Sequence, residues 1–429
     1  MSQATIAPPV ALPWLLGGPP AEIGPEPLQD HLDRLGPCPV GGPDLLSALR
    51  STGLRGRGGA RFPAWRKWRA VRERSQGRAV VLVNGAEGEP ASWKDRVLMA
   101  MRPHLVLDGA ELAADTVGAA EVVLYVGSEL TDARQALERA IQERGGRRWG
   151  RRRTRLVAGP PRYVAGEETA AVRFVDGGPA RPTFRPPRPF ERGVRGRPTL
   201  VQNVETLALV ALLARFGPAW YRTVGTSSSP GPLLVTVAGA VRRPGVHEVP
   251  HGVSLGQVLA TAEPTGPVAG VLLGGYFGAW LPPARAGSLA LDDQALAEAG
   301  LGLGCGVVFA LPGEACPLME TARVLGFLAH ESAGQCGPCR YGLGAVADVA
   351  HRVAAGQGGA DEVALLQRWA GQLRGGRGAC RHPDGAVTLL TSALETFSEH
   401  LRLHLRGGAC PASRAATCLP FPPLREGWR

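Results

Sequence analysis

A chain of 429 residues with 44% hydrophobic side chains is long enough for two or three domains with ordinary cores. No apolar run approaches the roughly 20 residues of a membrane-spanning helix, and no basic segment opens the Pro/Gly-rich N-terminus, so neither a direct membrane span nor a signal peptide is expected and a cytoplasmic location is. The 48 basic against 37 acidic residues give a net charge of +11; the arginines are scattered without a nucleic-acid motif, which leaves a solvated Arg-rich surface or a docking face for an acidic electron carrier.

Residues 1–43 read as an irregular lead-in. Helical spacing over Asp44–Thr52 delivers the chain to a loop in which four glycines and three arginines fall within residues 53–61. Gly-rich backbone leading into a helix start is a sensible seat for a phosphate-bearing cofactor. Lysine occurs only at Lys67 and Lys94, against an Arg bias everywhere else, which marks both as places where a compact ammonium is wanted. Ala79–Val83 reads as a strand buried on both faces, ending in the polar loop 84–90 where an α/β sheet would place a ligand. A helix to Met101, a helix over 104–119, a strand over Glu121–Val126 and a helix over 131–144 continue an α/β alternation. The basic run 147–155 reads as a loop. Glu167 and Glu168 suit a helix N-terminus, 177–198 is too rich in Pro and Arg for regular structure, and a helix runs from 202 to about 215.

Beyond a linker at 225–231, strands at 233–238 and 246–249 and a helix capped by Ser254 make a small α+β module. From Cys316 the pattern turns helical, at 318–331, 341–355, 361–374 and 387–405. Eight cysteines occur, and Cys336-Gly-Pro-Cys339 is their one close pair. Thiol redox, zinc and iron–sulfur ligation all remain open from that spacing.

The ordered motifs GLRGRGGARFP (53–63), NGAEGEPASWKDR (84–96), YVAGEETA (163–170), PTLVQNVETL (198–207) and ESAGQCGPCR (331–340), followed by Cys380, resemble one family. It is the NADH-oxidising flavoprotein subunit of respiratory complex I, with relatives in NAD-reducing hydrogenases and formate dehydrogenases. The resemblance implies an α/β FMN-binding domain (44–225), a β-grasp, soluble-ligand-binding module (230–314), a helical bundle carrying an Fe–S site (316–405) and a tail (406–429). It implies FMN held by Gly56, Arg57, Gly58, Gly59 and Lys67, and lined by Asn84, Glu87, Tyr163, Gly166, Gln202 and Asn203. Phe62 would pack near the dinucleotide, and Glu89 and Glu168 would face the nicotinamide as catalytic groups. The metal ligands would be Cys336, Cys339 and Cys380. NAD(P)H is the implied substrate, a ferredoxin-like Fe–S subunit or another redox protein the implied partner, and a place peripheral to a membrane complex the implied setting.

The chain departs from the family where it matters. Arg61 stands where the family has Gly, and is expected to crowd the flavin mouth. Ala86 replaces an Asp, Ala70 an adenine-stacking aromatic, and Arg188 the Phe of the segment that clamps the dinucleotide. Ala333 replaces the first cluster Cys, so three thiolates hold a [3Fe-4S] cluster, or a [4Fe-4S] cluster with a fourth ligand from Cys410, Cys418 or His382; zinc is a further candidate. Three functions follow: an NAD(P)H-oxidising electron-transfer subunit, an FMN/Fe–S relay that exchanges electrons with a ferredoxin-like partner without nicotinamide, or a non-catalytic assembly subunit.

Overall fold

The computed structural model describes residues 11–146, 152–425 and 428. Strands β1 (Ala79–Gly85), β2 (Ala119–Gly127), β3 (Arg153–Gly159) and β4 (Thr199–Asn203) form a parallel sheet in the order β3-β2-β1-β4. Val81 and Val83 of β1 enter one core and Val80 and Leu82 the other, as a strand buried on both faces requires. The larger core takes apolar side chains from α2 (Pro43–Thr52), α3 (Ala64–Ser75), α4 (Lys94–Met101), α5 (Pro103–Val117), α6 (Thr131–Glu143) and α8 (Val204–Tyr221). The opposite face is covered by α7 (Glu168–Val175).

Two strands depart from the sequence pattern. Of the basic run 147–155, residues 147–151 lie outside the described residues, and from Arg153 the chain is strand β3. Arg155 is neutralised, donating to Glu121 of β2 at 2.9 Å, whereas Arg153 is exposed. The stretch 199–203, with its last two residues expected to open a helix, is β4, and the helix starts only at Val204.

The lead-in is not irregular throughout. It contains α1 (Leu28–Leu35), whose buried His31 lies 3.3 Å from Glu26 and 2.8 Å from Asp108 of α5. Arg34 donates to both Glu26 oxygens, and Arg144 and Arg215 reach Asp108. Further upstream, the amides of Trp14, Leu15 and Leu16 donate to Glu248 of the second module. The segment is held by charge-assisted bonds that its local sequence does not announce.

The second sheet, in the order β6-β5-β9-β7-β8, comprises β5 (Pro232–Gly239), β6 (Gly245–Pro250), β7 (Val268–Leu273), β8 (Ala279–Leu281) and β9 (Val307–Pro312). Only β5 and β9 run parallel. One face packs on α9 (Leu255–Thr261), which Ser254 opens with a capping box to Gln257, and on α10 (Pro283–Ser288) and α11 (Asp293–Glu298). The other face contributes Leu272, Trp280, Phe309 and Leu311 to the core of the helical region.

That region holds α12 (Pro317–His330), a π-helical turn (Pro338–Leu343) running into α13 (Gly344–Ala354), α14 (Ala360–Leu373), α15 (His382–Thr396) and α16 (Ser398–Gly407). The single helix expected over 387–405 breaks at Phe397, whose ring packs on Trp280 at 5.4 Å. No helix among the described residues is long and apolar enough to cross a membrane.

Burial works against the charge of Glu26, but His31 and Arg34 prevail and lower its pKa to about 2. A carboxyl depressed in the folded state contributes stability above its ordinary pKa and loses it as pH falls through the folded value. Glu26→Gln is therefore expected to cost about 3 kcal/mol at pH 7. In thermal unfolding the melting temperatures of the two proteins should converge as pH falls from about 4.5 towards 2.

Candidate functional site

The sheet order puts a switch point between β1, which continues to β2 and β3 on one side, and β4 on the other. Ligands bind outside the carboxyl ends of strands at such a point. Asn84 and Asn203 are register partners at those ends. Asn84 donates to the Gly166 carbonyl at 2.7 Å, which brings the 163–166 turn to the same edge. Asn203 caps α8 by accepting from the Glu205 amide at 3.0 Å and donates to Asp95 at 2.7 Å. Gln202 accepts from the Trp68 indole at 3.2 Å.

The Gly/Arg loop lies over this edge. A Cβ on Gly58 would sit 3.4 Å from Asn203, and one on Gly56 3.8 Å from the Gln202 amide. The Arg57 amide donates to Thr206 at 2.9 Å. Its guanidinium turns inward, donating to the Pro232 carbonyl and to His251, 3.7 Å from Glu205. Arg57 thus anchors the loop through its side chain. Among the described residues no hydrogen bond takes up the N–H groups of Gly58, Gly59 and Ala60. Consecutive free amides in a Gly-rich loop fit a phosphate group. Lys67 stands near, donating to Glu168 at 3.1 Å and to the Val201 carbonyl at 3.2 Å.

Arg61 does not crowd this mouth. It adopts φ 50°, the left-handed region that favours the family's Gly. Its guanidinium forms a bidentate pair with Asp293 of α11, at 2.8 and 2.7 Å, and donates to His251 at 2.9 Å. Burial and the two arginines keep His251 well below its ordinary pKa, so it is neutral; its Nδ1–H donates to Gly231 and its Nε2 accepts from both guanidiniums. The substitution joins the first module to the second.

The acidic residues divide. Glu87, at φ 40°, turns its carboxylate to the start of α4, accepting from the Asp95 and Arg96 amides and from Ser92, and so caps that helix. Glu167 caps α7 in the same way. Glu168 ion-pairs with Lys67 and with Arg185 at 3.1 Å, and these cations outweigh burial and lower its pKa.

Glu89 is buried elsewhere, accepting from the Tyr163 hydroxyl at 2.7 Å and the Tyr276 amide at 2.8 Å. Burial raises its pKa to about 7, although Tyr163 and the Tyr276 and Ala91 amides pull the other way. Phe62 is 46% exposed, and Phe184, which pattern reading passed over, is 63% exposed next to Arg185.

Tyr163 joins the sheet edge to the helical region. Its amide donates to Glu331 at 2.9 Å, and its ring meets Phe277, Phe327 and His382 edge-on. Gln335, just before the cysteines, donates to the Pro182 carbonyl at 2.7 Å. Cys339 and Cys380 are buried; burial, with Cys336 and Cys380 adjacent, pushes the Cys339 thiol well up. A Cβ on Gly378 would sit 3.4 Å from the Cys336 sulfur. Three thiolates gathered here would repel one another, which a cationic iron centre relieves.

Of the candidate fourth ligands, Cys410 lies with Cys316 and two histidines, and Cys418 is exposed with its amide on Glu320. His382 is buried, its Nε2 2.7 Å from the Leu328 carbonyl and its Nδ1 without a partner among the described residues.

Residues 49–212 match the Nuo51 FMN-binding domain and residues 319–404 the NADH-ubiquinone oxidoreductase-F iron-sulfur binding region. The chain is 33% identical over 382 residues to the second F subunit of the NADH-quinone oxidoreductase of Rhizobium meliloti, covering 86% of this chain and 90% of that one. It is 30% identical over 382 residues to the F subunit of the NADH-quinone oxidoreductase of Escherichia coli, covering 85% and 84%. Among solved structures, an NAD+-reducing [NiFe]-hydrogenase in the H2-reduced state superposes with TM-score 0.78 at 34% identity, over 85% of this chain and 62% of that one.

Because Arg61 and Asp293 are mostly buried and bidentate, a double-mutant cycle of Arg61→Ala and Asp293→Ala should give a coupling of about 1–2 kcal/mol in thermal or denaturant unfolding.

Proposed function

The chain belongs to the family of F subunits of NADH-quinone oxidoreductase, and we propose that it is the electron-input subunit of an assembly, oxidising NADH through FMN and passing single electrons to its own Fe–S centre and then to a redox partner subunit. When bound, FMN supplies a hydride acceptor that can release electrons one at a time. The reading rests above all on the free amides of Gly58–Ala60 beside Lys67, Asn84 and Asn203 at the switch point.

In this reading those amides and Lys67 hold the phosphate, while Gly56, Gly166 and Gln202 leave room for the flavin. Glu168 orients Lys67 and Arg185, and Phe62 and Phe184 offer aromatic faces to the dinucleotide in place of the aromatics missing at Ala70 and Arg188. The nicotinamide-free relay loses its argument from Arg61, which faces Asp293. We read 44–225, 230–314 and 316–405 as the FMN domain, a β-grasp module and the Fe–S domain. The mixed second sheet with its single parallel pair supports the middle assignment. A ferredoxin-like Fe–S subunit is the partner whose chemistry fits. Anaerobic NADH should bleach the flavin bands of FMN-loaded protein, and no bleaching with either NADH or NADPH would overturn the proposal.

Glu89, which accepts from the Tyr163 hydroxyl and has a pKa of about 7, gains or loses its own proton near neutrality. The rate of flavin reduction should bend near pH 7, and Glu89→Gln should flatten that bend. The sign on stability is the reverse of Glu26. A carboxyl raised in the folded state costs stability as pH rises from about 4.5 past 7, so Glu89→Gln should melt higher relative to wild type at pH 8 than at pH 5.

For the cluster, His382 has the arrangement of a ligating histidine, one nitrogen hydrogen-bonded to a carbonyl and the other without a partner. With His382 as fourth ligand the wild type carries a four-iron centre. His382→Ala should then lower the iron content and give a three-iron EPR signal, whereas an unchanged spectrum would exclude His382.

A further inference from the structure

Cys316, His400, His404 and Cys410 bring their ligand atoms within 4.8 Å of one another. They come from three separate segments: the N-cap of α12, one face of α16 where the histidines are four residues apart, and the start of the tail. We propose that these four side chains bind one zinc ion tetrahedrally, in a site separate from the Fe–S centre.

The donor set, two sulfurs and two imidazole nitrogens, is that of a closed structural zinc site. With Zn–S near 2.3 Å and Zn–N near 2.0–2.1 Å, a tetrahedron places sulfur and nitrogen about 3.6 Å apart. Cys316 Sγ lies 3.7 Å from Nε2 of both His400 and His404. The Cys410 amide donates to His404 Nε2 at 3.3 Å, so that nitrogen is the unprotonated one, and zinc would take its lone pair in place of this long bond. The Met319 amide donates to Cys316 Sγ at 3.4 Å, and a helix N-terminus favours the thiolate that a metal needs. Cys316 and His404 are buried and the other two half-buried.

A two-iron centre with the same ligands puts its histidines and cysteines on different irons, across a sulfide core. Sulfur–nitrogen contacts of 3.7 Å leave no room for that core. The site is also distant from the cluster cysteines. Cys316 caps the start of α12, whereas His382, two residues after Cys380, binds the Leu328 carbonyl near its end, roughly 18 Å along the helix.

The place suggests the purpose. After Cys410 the tail crosses α12, where the Cys418 and Leu419 amides donate to Glu320 at 3.1 and 3.2 Å. It ends against the first module, with the Arg162 guanidinium 4.4 Å over the Trp428 ring and the Ala180 amide on the Trp428 carbonyl. Zinc fastens the beginning of this strap.

Elemental analysis of full-length protein with its iron centre intact, incubated with zinc and desalted, should give about one zinc per chain. His404→Ala and Cys410→Ser should each lower zinc retention at least about tenfold without changing iron, whereas Cys339→Ser should lose iron and keep zinc. A wild type that retains no zinc, zinc that persists in both His404→Ala and Cys410→Ser, or extra iron that disappears with His404 would overturn the assignment. If the variants are insoluble, Co2+ added to the wild type decides. Intense tetrahedral bands with sulfur-to-cobalt charge transfer support the site, and a weak octahedral spectrum refutes it.

Discussion

The Lys94 ammonium lies buried between Asp95, at 2.6 Å, and Glu205, at 2.9 Å, and three of the ordered motifs meet there. Burial alone would lower the lysine pKa, but the two carboxylates hold it charged and above its ordinary value. Glu205 also lies 3.7 Å from the Arg57 guanidinium and accepts from the Leu234 amide of β5 at 3.0 Å. Asp95 accepts from Asn203. Two buried cations and two buried anions compensate one another, so losing one would strand a charge at a cost of about 3–5 kcal/mol. The Gly/Arg loop, the start of α4, the start of α8 and strand β5 of the second sheet therefore keep a common registration.

That constraint frees the loop for binding. With its arginine side chain drawn inward and its Arg57 amide held by Thr206, the next three amides point to no protein acceptor among the described residues. A loop stiffened from beneath presents its N–H groups without first having to be ordered, the condition under which backbone amides bind an anion well. The two lysines of the chain take different parts: Lys94 is buried among carboxylates, while Lys67 stays partly exposed beside Glu168.

Most helices and the buried β1 are legible in the sequence, because periodicity and caps are local. β3 and β4 are not, because their short runs carry Arg or polar residues whose partners lie 34 or more residues away, such as Glu121 for Arg155 and Asp95 for Asn203. The same holds for α1, whose His31 is satisfied by Asp108, 77 residues distant. At the site, residue types were legible and directions were not. Arg57, Glu87 and Arg61 stand in or beside the motifs, yet their side chains point to Pro232, to the start of α4 and to Asp293. A motif fixes where the backbone passes; partners far along the chain decide which way a long side chain turns. The Cys/His group was invisible because its members are spread from 316 to 410.

The departures from the family then follow a common logic. Arg61 occupies a left-handed position that Gly would hold at less strain, and a bidentate pair to the second module offsets the difference. Ala333 removes a thiol from the cluster motif, while Glu331 and Gln335 on either side of it still clamp the Tyr163 amide and the Pro182 carbonyl. The distance between the sheet edge and the three remaining cysteines is thus set by these bonds and by the Tyr163–His382 contact, not by the missing ligand. One-electron transfer depends on that separation, and these contacts hold it whatever completes the ligand set of the centre.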